Sequence, residues 1–122
     1  MIETKTYGNR KTILIGQDSF HIALPAKISG SANATVKAGQ PLAGTIASRL
    51  TQEFTASTTA ATCVLLHDVK LDANGKGNGT IVIAGCIDKL KLESDMVTAL
   101  TTAKAAEGSS LDNIIVTEGS AI

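Results

Sequence analysis

The sequence predicts a mainly β fold: a small β-barrel or β-tulip-like domain with one or two short helices and an extended N-terminal arm. Three observations carry this. Two apolar, β-prone runs, Ala61-Thr62-Cys63-Val64-Leu65-Leu66-His67-Asp68-Val69 and Thr80-Ile81-Val82-Ile83-Ala84-Gly85-Cys86-Ile87, flank the glycine-rich stretch 72–79, which reads as a long hairpin or sheet connection. A single segment, 94–107, has the signals of a helix at both ends. Aromatic residues are 2% of the chain and tryptophan is absent, so the core must be assembled from Ile, Leu, Val and Ala.

The 122 residues suit one domain, with an arm and linker over 1–34 and a β-rich domain over 35–122. In the arm, Ile13-Leu14-Ile15 and Phe20 are β-prone or apolar, and Pro25 is expected to close the segment by disfavouring helix at Leu24. Two readings of residues 1–24 stand: a strand added to another chain's sheet, or the first strand of the domain's own sheet. The small polar stretch 29–34 reads as a linker or turn. Residues 35–46 then give a strand, a turn at Gly39 and a second short strand.

The segment 47–54 is ambiguous. Ile46, Leu50 and Phe54 fall four apart, as on a helical face, whereas Thr45, Thr51 and Thr55 favour extended chain. An irregular or short helical connection is expected there, followed by a surface loop over 55–62. The run to Val69 is too continuously apolar for a half-exposed edge and suits a strand buried on both faces. In 94–107, Ser94 is an N-cap candidate, Asp95 favours the positive helix end and Gly108 suits the position after the last turn. Met96, Leu100 and Ala103 define its apolar face. Residues 111–117 read as a closing strand.

Eleven basic and eleven acidic residues cancel. No basic stripe stands out and aromatic stacking platforms are lacking, which disfavours nucleic acid and anionic membrane as partners. The apolar runs are too short to span a bilayer, and Met1-Ile2-Glu3-Thr4-Lys5 lacks the layout of a signal peptide, so a soluble chain that matures inside the producing cell is expected. Cys63 and Cys86 are accordingly expected to be unbridged thiols.

No residue pattern points to a reaction centre or cofactor. Asp72, Asn74 and Gly77 match part of a calcium loop, but Lys76 stands where a ligand is needed and Ile83 where the bidentate carboxylate belongs. Gly75, Gly77 and Gly79 lack the GK[ST] ending of a phosphate loop. Cys63 and His67 lie four apart without a second ligand pair, so no metal is expected. His67 and Asp68 are adjacent and would point to opposite faces of a strand, the wrong geometry for a catalytic pair. The chain is expected not to be an enzyme.

The succession Val36-Lys37-Ala38-Gly39-Gln40-Pro41-Leu42, then Val64-Leu65-Leu66-His67-Asp68-Val69, then Gly79-Thr80-Ile81-Val82-Ile83-Ala84-Gly85-Cys86-Ile87-Asp88, a helix with an acidic start, and Asp112-Asn113-Ile114-Ile115-Val116 resembles the lambda-type head decoration proteins and related head-fibre proteins of tailed bacteriophages. The likeness covers residues 35–117. It implies a homotrimer on the outer surface of the mature virion, made in the host cytoplasm, that binds the major capsid protein and stabilises the shell. It also implies contact through the N-terminal arm, where Ile13, Leu14, Ile15 and Phe20 are the candidate capsid-contact residues. The alternative is a small β-rich ligand- or carbohydrate-binding module, such as a host-adhesion domain.

Overall fold

The computed structural model describes residues 21–117. Its strands are β1 (Ile22–Ser29), β2 (Thr35–Val36), β3 (Pro41–Ala43), β4 (Glu53–Ala56), β5 (Cys63–Leu65), β6 (Val69–Lys70), β7 (Lys76–Asp88) and β8 (Ile114–Thr117), with one helix, α1 (Ser94–Ala105), before β8. Six strands form one sheet in the order β1-β4-β3-β5-β7-β8, with a further β1–β7 pairing, while β2 and β6 form a separate antiparallel pair.

This architecture corrects the predicted fold class. It is a mixed α/β fold, mainly strand, and the sheet that ends in β8 is not closed into a barrel: among the described residues β8 pairs with β7 alone, while β1, at the other end of the strand order, pairs back onto β7. The cause is the direction of the last pairing. β7 and β8 are parallel, and parallel neighbours need a crossover rather than a turn. The 3-10 turn Lys89–Lys91 and α1 supply it.

The extended arm is corrected in part as well. Residues 22–29, read from sequence as arm and linker, are β1, which pairs antiparallel with β7 from Ile22↔Ala84 to Ser29↔Lys76 and parallel with β4 at Lys27 and Ile28. For residues 22–24 the reading as a first strand of the chain's own sheet therefore holds. The strand runs through Pro25, which pairs with Thr80. β4 reaches β1 only further along, so Pro25 has a strand neighbour on one side, the situation in which a missing N–H is tolerated. Ile13, Leu14, Ile15 and Phe20 lie outside the described residues.

The expected linker is a docked turn. Gly30 N–H donates to the Gly75 carbonyl at 2.9 Å, Asn33 N–H to Asp72 at 2.8 Å, and Leu71 N–H to Ala34 at 2.8 Å. The opposing 72–75 turn is built by Asp72, whose Oδ1 accepts the N–H groups of Asn74 at 2.8 Å and Lys76 at 2.9 Å. These bonds hold the Asp72 carboxyl below the usual carboxylate range, with the Lys76 N–H the larger cause and the Asn74 N–H the next. Gly75 sits at φ +76°, where a Cβ would drive into the Gly30 carbonyl oxygen.

The ambiguous segment 47–54 is for most of its length the irregular, short helical connection expected, with turns closed by Thr51 N–H and Gln52 N–H on the Ser48 carbonyl, and it becomes extended only at Glu53, where β4 begins. A single 3-10 turn spans Ile46–Ser48, Leu50 is exposed, and Phe54 points from β4 into the core with no exposure. Residues 63–69 do not form one strand but break at Leu66 into β5 and β6. Cys63, Val64 and Leu65 are all fully buried, as expected of a strand covered on both faces.

Strand parity then divides the core in two. Val64 and Val82 join Ile87, Leu100, Ala103 and Ile114 on the helix side. Cys63, Leu65 and Ile81 join Ile28, Leu42 and Phe54 on the other.

Two outcomes test this account. Gly75→Ala lowers unfolding free energy by about 1–3 kcal/mol, read from chemical denaturation, because the left-handed backbone and the Gly30 carbonyl both oppose a side chain. Asp72→Ala lowers the denaturation midpoint at neutral pH. Because the folded carboxyl titrates below its ordinary value of about 4, its contribution is complete above that value and is lost as pH falls through the lowered one. The midpoint gap between the two proteins therefore narrows on acidification.

Candidate functional site

The middle of β7 carries β1 and β5, and its last four residues pair with β8 through Gly85↔Ile114, Cys86↔Ile115, Ile87↔Val116 and Asp88↔Thr117. At the change of partner the β1 register shifts between Ile22 and Ala23, and Gly85 takes φ +149°. An irregularity of this kind bends a strand and re-aims its side chains. It opens a hollow of about 640 Å³ lined by Ile22, Ala84, Gly85, Cys86, Asp112, Asn113 and Ile115. Ile22 is 37% exposed and Ile115 56%, so two branched apolar side chains stand in solvent beside it. The polar members come from the turn before β8, where Gly85 N–H donates to the Asn113 carbonyl at 3.0 Å.

A second, smaller hollow of about 240 Å³ lies between Lys37, Ala38, Leu66, His67, Asp68, Lys91 and Glu93. Lys37 Nζ is 2.6 Å from Glu93 Oε1 and 3.7 Å from Asp95 Oδ2. The hydrogen bond to Glu93, then the Asp95 charge, raises the Lys37 pKa. These groups are solvated, so the pairing adds little to stability. Ala38 N–H donates to Asp68 Oδ1 at 2.8 Å, Gly39 N–H to the Leu65 carbonyl at 2.8 Å, and Leu65 N–H to the Gln40 carbonyl at 3.0 Å. Two segments quoted for the resemblance, 36–42 and 64–69, are thus hydrogen-bonded to each other.

Asp68 holds the turn at Ala38, while its neighbour His67 is exposed. Cys63 is buried and lies on the other side of the break at Leu66. Among the described residues no three of His, Cys, Asp and Glu gather as a metal-holding group.

The cysteines are both free thiols. The register Val64↔Val82 and Leu65↔Ile81 carries Cys63 toward Ile83, short of Cys86. Burial pushes the Cys63 thiol up to about 12, whereas Cys86 is half-buried on the wall of the larger hollow.

The candidate contact residues Ile13, Leu14, Ile15 and Phe20 are not placed, but the described chain begins at His21, beside the hollow's Ile22. Sequence reasoning singles out neither Ile22 nor Ile115, and reads Cys86 only as an unbridged thiol. The available signal was the run Ile114-Ile115-Val116, in which consecutive apolar residues on a strand cannot all face one core.

Comparison of the chain with protein-family models, with curated proteins and with solved structures finds no match.

Titration with a thiol reagent checks the two cysteine environments. Native protein at pH 8 releases one fast equivalent, removed by Cys86→Ser, and the second appears only on denaturation. Two fast equivalents in native protein contradict the burial of Cys63.

Proposed function

We propose that this chain is a non-catalytic binding module: an auxiliary protein of the tailed-phage head that sits as a trimer on the outer surface of the mature shell, contacts the major capsid protein and stabilises the lattice. The observation in support of this reading is that two of the segments in the resembling succession, 36–42 and 64–69, are hydrogen-bonded to each other in the fold. The apolar hollow supports it too. It opens beside the first residue of β1, where the exposed Ile22 and Ile115 offer apolar side chains for a protein surface to cover. Binding only the expanded lattice would stabilise that lattice by mass action.

The same hollow supports a second reading. Its volume of about 640 Å³ falls in the range of small-molecule sites, and Asp112 and Asn113 offer hydrogen-bonding groups beside the apolar Ile22 and Ile115. A ligand- or carbohydrate-binding module would use these groups.

Co-sedimentation with purified, undecorated shells separates the two. The capsid reading expects the protein to pellet with expanded shells and not with free capsid subunit, and expects binding to fall at least about tenfold, roughly 1.4 kcal/mol, in Ile115→Asp. Absence from the pellet, with glycan binding that Asp112→Ala abolishes, overturns the capsid reading in favour of the second.

A further inference from the structure

Among the described residues strand β8 pairs with β7 alone and forms an edge of the sheet, and such an edge presents main-chain groups to any passing strand. Which groups it presents follows from the parallel ladder. Gly85 is the partner of Ile114 and its N–H donates to the Asn113 carbonyl, so Asn113, Ile115 and Thr117 direct their main-chain groups toward β7. Ile114 and Val116 direct theirs to the outer edge.

At Ile114 that edge is already occupied from within the chain. Its N–H donates to the Leu111 carbonyl at 3.0 Å. Its carbonyl accepts a hydrogen bond from Lys104 Nζ, which also donates to the Leu111 carbonyl at 3.3 Å. Lys104 belongs to the last turn of α1, the crossover that delivers β8. The side chain of Ile115, 56% exposed, stands next to the capped carbonyl.

We propose that Lys104 closes the outer edge of β8 against a second copy of the chain. The ammonium consumes the first acceptor a pairing strand would need, and it places a charge where the incoming backbone would lie. Without it, the Ile114 carbonyl is an open acceptor flanked by an exposed isoleucine. The occupant this edge fits is another β8, which offers the same short apolar strand and the same exposed Ile115, so two copies can pair about a two-fold axis. The inference rests on the β8 edge alone and stands whether or not the capsid reading does.

Sedimentation velocity over a concentration series tests it with four variants beside the unsubstituted protein. Lys104→Met keeps the aliphatic stem but cannot donate, and its weight-average mass is expected to rise roughly twofold above that of the unsubstituted protein. Lys104→Arg, which still donates, is expected to match the unsubstituted protein. Val116→Pro provides the discriminating control: its N–H points away from β7, so proline removes no ladder bond yet blocks strand addition. Alone it sediments as the unsubstituted protein, and combined with Lys104→Met it returns the mass to that value. A Lys104→Met protein with unchanged mass overturns the proposal. So does added mass that survives Val116→Pro, since that reports unfolding or another surface rather than strand pairing.

Discussion

Strand β7 is the hub of the six-stranded sheet, with three strand partners where each other strand of that sheet has one or two among the described residues. Its thirteen residues bond to β1, β5 and β8, while β4 and β3 attach through β1 and β5. The constraint this imposes is compositional. A strand with neighbours on both edges and packing on both faces has no room for charge in its middle, and Ile81-Val82 there are fully buried. Its first four residues, Lys76-Gly77-Asn78-Gly79, are polar or small because they face the docked turns instead. Leu65, Leu71 and Val69 side chains fill the space that a Cβ at Gly77 or Gly79 would take.

The two halves of the core depend on that strand in different ways. The half around Phe54 is sealed by close approach: a Cβ at Gly44 would strike the ring at 2.5 Å. The half around Leu100 depends on α1, and the helix is held less by its own ends than by packing. Its N-cap, Glu93, makes no side-chain capping bond, and Met96, Leu100 and Ala103 are its buried residues. Beyond it, the loop docks on 59–61 through Ser110 N–H to the Ala61 carbonyl at 2.7 Å and Ala61 N–H to Ser109 Oγ at 3.0 Å.

What could be read beforehand follows from which forces are local. The helix was legible because Met96, Leu100 and Ala103 repeat at helical spacing, and the turn at 72–75 because Asp, Asn and Gly declare turn chemistry. The helix ends differ from the local signals: Ser94 suits an N-cap but is the first helical residue, after Glu93, and Gly108 suits a cap but the chain leaves the helix at Ala106, φ −77° and ψ 135°; Gly108 is small because Thr59 O passes within 2.5 Å of where its Cβ would be. Pro25 was read as a stop because its tolerance on β1 depends on how far β4 extends. The parallel direction of β8, and with it the open sheet, is a property of the crossover that local patterns do not encode. The hollow was hidden for the same reason: Ile22, Cys86 and Ile115 meet only through a register shift.

The pairing of β1 with β7 has a consequence for how the chain is made. From Ile22↔Ala84 to Ser29↔Lys76 it joins residues far apart in sequence, and contacts of that separation slow folding because the intervening loop must close first. On a ribosome elongating at about 5–20 residues per second, β1 emerges seconds before its long partner exists. During that interval its apolar residues, including Ala26 and Ile28 that end fully or nearly buried, are exposed on a nascent chain. Lys27, which alternates with them and remains on the exposed face of the finished strand, keeps a charge on that waiting segment and lowers its tendency to pair with a neighbouring nascent chain.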